Sequence, residues 1–235
     1  MKGRVSMATQ PVIRFRKVEP QFFNGLTPAE AKTIVSAAKQ RRYLANSVIV
    51  NQGNPADHIF LLVSGRVRYF YLTGDGRKVI LRWITPGQIF APAALLPVQV
   101  EYLVSTEAVK NCSVLEWSRT SIRKLITRYP QLIDNTLMIM FEYFVFYRDA
   151  RMLLTYDPAP QRVAHVLANL ASTIGERVAG GIELDLQNEE LASEANVTSF
   201  TVSRLLSDWQ RKGILTKRRG RVLLRFPERL FHETD

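Results

Sequence analysis

The sequence predicts an α+β fold, with an antiparallel β-roll first, one long helix after it and a winged helix-turn-helix last. Three observations carry that reading. Between Tyr43 and Trp117, short runs rich in Val, Ile, Leu and Tyr are punctuated by Gly53, Gly65, Gly74, Gly76 and Gly87, the pattern of antiparallel strands and tight turns. Leu132 to Tyr156 contains neither glycine nor proline, a length that makes about seven helical turns. Leu186 to Arg221 holds two short helical periods, broken at Ala195-Asn196-Val197, and then a basic hairpin. The chain divides accordingly into a basic arm (residues 1–20), a roll (21–130), the long helix (131–157) and the winged unit (158–235).

The arm, MKGRVSMATQPVIRFRK, is positively charged and lacks the continuous apolar core of a secretion signal; it is expected to be loose. Thr27 to Lys39 opens with a Thr cap, a Pro at the first helical position and an acid at the third. A short helix is expected there, packing through Ala31, Ile34, Val35 and Ala38. In the roll, the runs VIV, HIFLLV, RVRYFYL and KVILRWI are each bounded by glycine or proline and read as separate strands. Thr73-Gly-Asp-Gly-Arg77 is the clearest hairpin turn. A helix follows over Arg119 to Arg128.

The middle of the long helix, LMIMFEYFVFY, is apolar almost all round, so it needs cover on two sides. The roll supplies one. An identical helix of a second subunit would supply the other, with Leu137, Met140, Phe141, Phe144 and Arg148 as the homodimer interface. Asp157-Pro-Ala-Pro160 ends this helix and marks both the boundary and the expected hinge, at Pro158 to Pro160. Beyond it, a helix over Gln161 to Ile174 puts Val163, Val166, Leu167 and Leu170 on one stripe, a strand spans Ile182 to Leu186, and a helical turn follows Pro227.

The first helix of the C-terminal pair, Asn188 to Glu194, is capped by Asn188, with Glu189 and Glu190 in its positive first turn. The second begins after the Thr198 cap and stops at Gly213. Its Val202, Leu205, Leu206 and Trp209 share a face that must be buried. The opposite face carries Ser199, Phe200, Ser203, Arg204, Ser207 and Arg211, side chains that are small, flat or cationic and suit a major groove. Base contacts are therefore expected from Arg204, Ser203, Phe200 and Ser199, led by Arg204, because a guanidinium bonds guanine O6 and N7 together. Phosphate contacts are expected from Thr198, Thr201, Arg211, Lys217, Arg218, Arg219 and Arg221. Between Arg211 and Arg229, eight Lys or Arg stand against one acid, Glu228, so the surface potential favours double-stranded DNA.

A chain of 235 residues with 46% hydrophobic content can bury two modest cores. Its net charge of +11 favours an anionic partner, nucleic acid or a membrane surface. The longest apolar run, Leu137 to Tyr147, is broken by Glu142 and is too short to cross a bilayer. One cysteine, Cys112, rules out a disulfide framework, a cysteine-held iron–sulfur cluster and an all-cysteine zinc site within one chain; a cytoplasmic protein fits best. His58, His165 and His232 are scattered and read as structural or solvated. They do not supply the ligand cluster of a cupin-like metalloenzyme, so no metal, cofactor or enzymatic activity is expected.

The order of elements, with the stretches VIVNQGNPADHIFLLVSGRVRYFY, GDGRKVILRWITPGQIF and NEELASEANVTSFTVSRLLSDWQRKGIL, resembles the Crp/Fnr family of bacterial transcription regulators from Phe22 to Phe226. The resemblance implies a cyclic-nucleotide-binding-type jelly roll, a dimer through the long helix, operator DNA under the winged units and RNA polymerase as a further partner. Family members that bind cyclic AMP carry a Gly-Glu pair for the ribose and an Arg-Ser pair for the cyclic phosphate. Counted without gaps from Gly87-Gln88-Ile89, those positions fall on Ala91 and Pro92 and on Tyr102 and Leu103, which implies no productive cyclic AMP binding. An apolar or aromatic effector is expected instead, walled by Ala91, Tyr102, Leu103, Phe144 and Tyr147; constitutive, effector-independent DNA binding is the alternative. In the recognition helix the family commonly has a Glu where Phe200 stands, while Ser203 and Arg204 keep its Ser and Arg places. A phenyl ring cannot accept a cytosine amino proton but can touch a thymine methyl, so the half-site should differ from the family's usual one.

Overall fold

The computed structural model describes residues 20–232; apart from Pro20, the expected arm lies outside the described residues, as does the His232 side chain. Gln21–Phe23 forms a short 3-10 turn. Helix α1 (Pro28–Ser36) begins with a reciprocal cap: Thr27 Oγ1 accepts the Glu30 N–H at 3.3 Å and the Glu30 carboxylate accepts the Thr27 N–H at 2.8 Å. The helix stops before the expected Lys39 because strand β1 (Lys39–Tyr43) starts there and pairs with residues 112–116.

Strands β2 (Val48–Val50), β3 (His58–Leu72), β4 (Lys78–Ile84), β5 (Ile89–Phe90) and β6 (Ser105–Ser118) complete one rolled antiparallel sheet. Its order is β1-β6-β3-β4, with β2 on β6 and β5 on β3. HIFLLV and RVRYFYL are not separate strands but the two halves of β3, which runs beside β6 from His58↔Ser118 to Phe70↔Ser105. Gly65 lies inside β3 at φ +94°, where the register shifts repeatedly between Leu62 and Val67. A Cβ at this position would sit 2.4 Å from the Asn111 carbonyl oxygen and 2.7 Å from Cys112 Cα. The missing side chain therefore lets the strand bulge and bend while staying paired, where the sequence pattern alone suggests a break. The Thr73–Arg77 turn does join β3 to β4, with Thr73 N–H on Arg77 O and Gly76 N–H on Thr73 O, both at 2.9 Å.

Phe22, Ile59, Leu61, Phe90, Trp117 and Ile122 fill the roll, and the Trp117 indole N–H pins α1 by donating to Ile34 O at 2.8 Å. Helix α2 (Arg119–Arg128) is capped by the Ser118 hydroxyl. It leads into α3 (Gln131–Tyr156), which covers the roll with Leu132, Asn135, Thr136, Ile139 and Tyr143. Buried Asn135 has its amide hydrogens on Phe22 O and Asn24 O at 2.9 and 2.8 Å, satisfying both the side chain and two carbonyls that burial would otherwise strand. The side of α3 away from the roll leaves Leu137, Met138, Phe141 and Phe144 between 61% and 65% exposed.

Only Asp157 and Pro158 separate α3 from α4 (Ala159–Thr173). Ala159 and Pro160, expected in the hinge, already form the first turn of α4, where proline's fixed φ and missing N–H are tolerated. The chain continues through β7 (Glu176–Val178), β8 (Gly181–Asp185), α5 (Asn188–Ala195), α6 (Ser199–Arg211), β9 (Leu215–Arg218), β10 (Arg221–Leu224) and α7 (Arg229–His232). Its sheet has the order β7-β8-β10-β9. Strand β7 was not foreseen, since its three residues are all exposed and carry no alternation. The cap of α5 is Gln187, whose N–H donates to the Glu190 carboxylate at 2.8 Å; Asn188 is the first helical residue, one place later than expected of a cap. A second core gathers Val163, Leu167, Leu191, Val202, Leu206 and Trp209, and it includes Ile80 and Trp83 of β4.

Candidate functional site

Helix α6 stands with its apolar stripe buried and its other side free. Val202, Leu206 and Trp209 are buried, so at 100° per residue Phe200, Arg204, Ser207 and Arg211 fall together on the outside. All four are exposed, Phe200 at 78%. Ser199 and Ser203 flank this face and are half-buried. The helix starts cleanly because Thr198 Oγ1 accepts the Thr201 N–H at 3.1 Å, and the two threonine hydroxyls lie 3.0 Å apart. It stops at Gly213, φ +74°, where the Ile214 N–H turns back to Trp209 O at 3.0 Å, the left-handed ending that glycine permits.

The wing is held to the same face. Lys217 Nζ donates to Ser203 Oγ at 3.2 Å, and the Lys217 N–H donates to Gln210 Oε1 at 2.9 Å. Arg218 and Arg219 are exposed at the tip, next to Gly220 at φ +68°. Among the described residues the side chains of Arg204, Arg218 and Arg219 have no ion-pair or hydrogen-bond partner. Arg211 pairs with Asp208 at 3.1 Å and Arg221 with Glu183 at 3.0 Å. Exposed pairs of this sort are weak, so either guanidinium can turn to a phosphate at little cost. The structure thus gathers one forked donor, a phenyl ring, small hydroxyls and a cationic tip on a single convex surface.

The helix pair also rests on the roll, a contact that sequence reasoning missed. The Trp83 indole N–H of β4 donates to the Glu194 carboxylate of α5, and Arg68 of β3 pairs with both Glu107 and Glu190. Buried Arg66 donates to Asp185 O at 3.3 Å and Ile174 O at 3.2 Å, and both guanidinium carbons lie 5.8 Å from the Trp83 ring centre. Burial lifts the Glu194 carboxyl to about 7; the Trp83 N–H opposes the rise and the Glu190 charge adds to it. Of the two strand cations only Arg68 meets an acid of α5, Glu190, while Glu194 is met by Trp83 of the next strand, so no local spacing in the chain announces the contact.

A cavity of about 600 Å³ opens at the junction of the roll, α2 and α3. Ala91, Tyr102, Leu103 and Tyr147 line it, with Pro92 beside them, so the four positions counted from Gly87 meet at one place. Phe144 does not line it. It is 65% exposed on the outward side of α3, because it sits a third of a turn from the wall residue Tyr143. Conversely Met140, expected between subunits, is half-buried against the roll core and belongs to the cavity wall. Leu137 is both wall and outward surface, while Phe141 and Arg148 are exposed, Arg148 pairing with Asp149 at 2.7 Å. Ala91 takes the left-handed conformation at φ 57°, and its N–H donates to Tyr69 Oη at 2.8 Å. Burial drives the Tyr69 hydroxyl far above its ordinary value and that of Tyr143 up to about 12, so both are neutral. Sequence reasoning also missed Arg123, the charged member of the wall; nothing in its local sequence distinguishes it from its basic neighbours.

His58 lies 3.8 Å from Glu116 and His165 lies 3.7 Å from Asp157, and no group of three metal-ligating side chains occurs among the described residues. No helix of the described residues is long and apolar enough to cross a membrane.

Two family models match the chain: the cyclic nucleotide-binding domain over residues 40–129 and the Crp-like helix-turn-helix domain over residues 161–232. The Cyclic AMP receptor protein of Thermus thermophilus is 29% identical over 206 residues, covering 86% of this chain and 91% of its own length. The nitrogen fixation regulation protein FixK of Azorhizobium caulinodans is 27% identical over 199 residues, covering 83% and 79%. Among solved structures, FixK2 from Bradyrhizobium japonicum superposes with a TM-score of 0.72 at 27% identity, over 84% of this chain and 97% of that one.

Proposed function

The chain belongs to the Crp/Fnr family of DNA-binding transcription regulators, and on that premise we propose that it acts in the cytoplasm as a homodimer on a twofold-related operator, gated by a small effector other than a cyclic nucleotide. The roll (21–130) senses, the long helix (131–157) joins two copies, and the winged unit (158–235) reads DNA and presents the regulator to RNA polymerase. The observation that carries this reading is the free face of α6, where unpartnered Arg204 stands beside exposed Phe200 and a wing tied on through Lys217 and Ser203. Arg204 and Ser203 meet base edges together with Phe200 and Ser199. Thr198, Thr201, Arg211, Lys217, Arg218, Arg219 and Arg221 meet phosphates.

The Thermus relative is named for cyclic AMP, but Ala91, Pro92, Tyr102 and Leu103 bring neither a cation for a cyclic phosphate nor a carboxylate for a ribose, and the one guanidinium of the wall, Arg123, comes from α2 with no carboxylate beside it. An effector in this cavity touches Leu137 and Tyr147 of α3, the helix that continues to the DNA-reading unit. An effector gates only through different affinities for the two states.

Selecting bound duplexes from a random pool should yield an inverted repeat with half-site centres about 10 to 10.5 base pairs apart. Arg204→Ala should lose about 1 to 3 kcal/mol at one guanine and little on random DNA. No preference over random duplex, or equal losses on specific and random DNA, defeats the assignment. Operator affinity unchanged by any candidate effector would favour the constitutive reading.

A further inference from the structure

The cavity of about 600 Å³ is of ordinary size for a small-molecule site, where roughly 300–1,000 Å³ is usual. Of the five hydroxyls on its wall, three already donate to backbone carbonyls. Tyr102 Oη accepts the His58 N–H at 2.9 Å and donates to His58 O at 2.8 Å; Thr136 donates to Leu132 O at 2.7 Å and Tyr143 to Ile89 O at 3.2 Å. Arg123 differs. One N–H of its guanidinium goes to Leu95 O at 2.9 Å, which leaves further donors of that planar group. Among the described residues no Asp or Glu lines the cavity and Arg123 has no ion-pair partner.

Such a wall selects against ligands rich in polar groups. A sugar or a base would surrender its water to a wall that is mostly apolar and offers few free hydroxyls, and each unmatched group costs affinity. It selects for one anionic head, flat and with two acceptor oxygens, because a guanidinium without a counter-ion in an apolar setting gains most from a forked, charge-assisted pair. Resting on the effector reading above, we propose that this cavity binds a carboxylate carried on an apolar body, aryl or acyl, with Arg123 as its anchor. The body lies against Leu137, Met140 and Tyr147, and the head meets Arg123 on α2.

The test uses the purified full-length protein and four probes measured by calorimetry: dodecanoate, naphthalene-2-carboxylate and their two uncharged alcohols, with cyclic AMP as a fifth. Each acid should bind about ten- to hundredfold tighter than its alcohol, the span expected for one hydrogen-bonded charge pair. The acyl and aryl arms show which body the wall prefers. Arg123→Gln should bring each acid down to its alcohol and leave the alcohols unchanged. Arg119→Gln is the control. Arg119 holds neighbouring carbonyls, Ala94 O at 3.1 Å and Pro97 O at 3.0 Å, but does not line the cavity, so its loss should not separate acids from alcohols. Alcohols equal to acids on the unaltered protein would overturn the proposal even if Arg123→Gln failed to fold. So would equal effects of the two arginine variants, or cyclic AMP binding tighter than either acid. Acids that bind through Arg123 without changing operator affinity would leave the ligand class standing and defeat the gating.

Discussion

Phe144→Ala on the outward stripe of α3 should weaken the proposed dimer. Leu137, Phe141, Phe144 and Arg148 follow one another at spacings of four, three and four, so they share a helix face, and three of them are large apolar side chains between 61% and 65% exposed. A phenylalanine covers about 150–250 Å² on full burial, so covering the exposed part of Phe144 removes about 100–160 Å² from water, or about 2.5 to 4 kcal/mol at about 25 cal/mol per Å². A twofold axis applies the substitution twice. Alanine keeps some of that area, contact at a seam is incomplete, and area converts poorly to affinity, so about 2 to 3 kcal/mol is the expected net loss, roughly a 30- to 150-fold rise in the dimer Kd. Sedimentation velocity over a concentration series reads that change directly. Tyr71→Ala, on an exposed strand position away from α3, should leave the Kd where it was. Unaltered protein that sediments as a monomer at about ten times the Kd of a typical micromolar dimer, or a Phe144→Ala shift of less than threefold, would refute the interface.

Gly65→Ala should destabilise the roll by about 3 kcal/mol or more, because a Cβ meets unyielding backbone at a positive φ; Gly53→Ala, with φ +80° but open space, should cost about 1 to 2 kcal/mol. Equal shifts in urea midpoint would show that packing at Gly65 adds nothing. Neutralising Arg218 and Arg219 together should flatten the salt dependence of DNA binding by about 1.8 in log–log slope and weaken all sequences alike; an unchanged slope removes them from the phosphate contacts. The Glu194 carboxyl titrates near 7 when docked against an ordinary value of 4.5, so the folded state holds its proton more tightly. Its contribution to stability is complete below about 4.5 and is lost as pH rises through about 7. Urea midpoints between pH 5 and 8 should fall across that window in the unaltered protein and stay flatter in Glu194→Gln; matching profiles would place the pH response elsewhere.

Features governed by neighbours within a turn or two are legible in the sequence. Thr27 with Glu30, Thr198 and Gly213 announce helix ends because caps are local hydrogen bonds. The stripe of Val202, Leu206 and Trp209 announces which side of α6 is free, since a clean 3.6-residue period has one solution. Long-range relations were not legible. Gly65 carries the same letter as a turn glycine, and only its approach to Asn111, far along the chain, makes it a bulge within β3. The long helix is apolar on every side, so its sequence cannot say that Met140 turns to the roll and Phe144 away from it; the shape of the roll surface does. The same holds for Arg123 and for the Trp83–Glu194 contact, whose partners are brought together only when separate elements pack. Local periodicity and capping chemistry therefore sufficed to define the free face of α6 proposed to read DNA, while the cavity beside α3 and the seat of the helix pair on the roll required the folded chain, because their residues are neighbours in space and strangers in sequence.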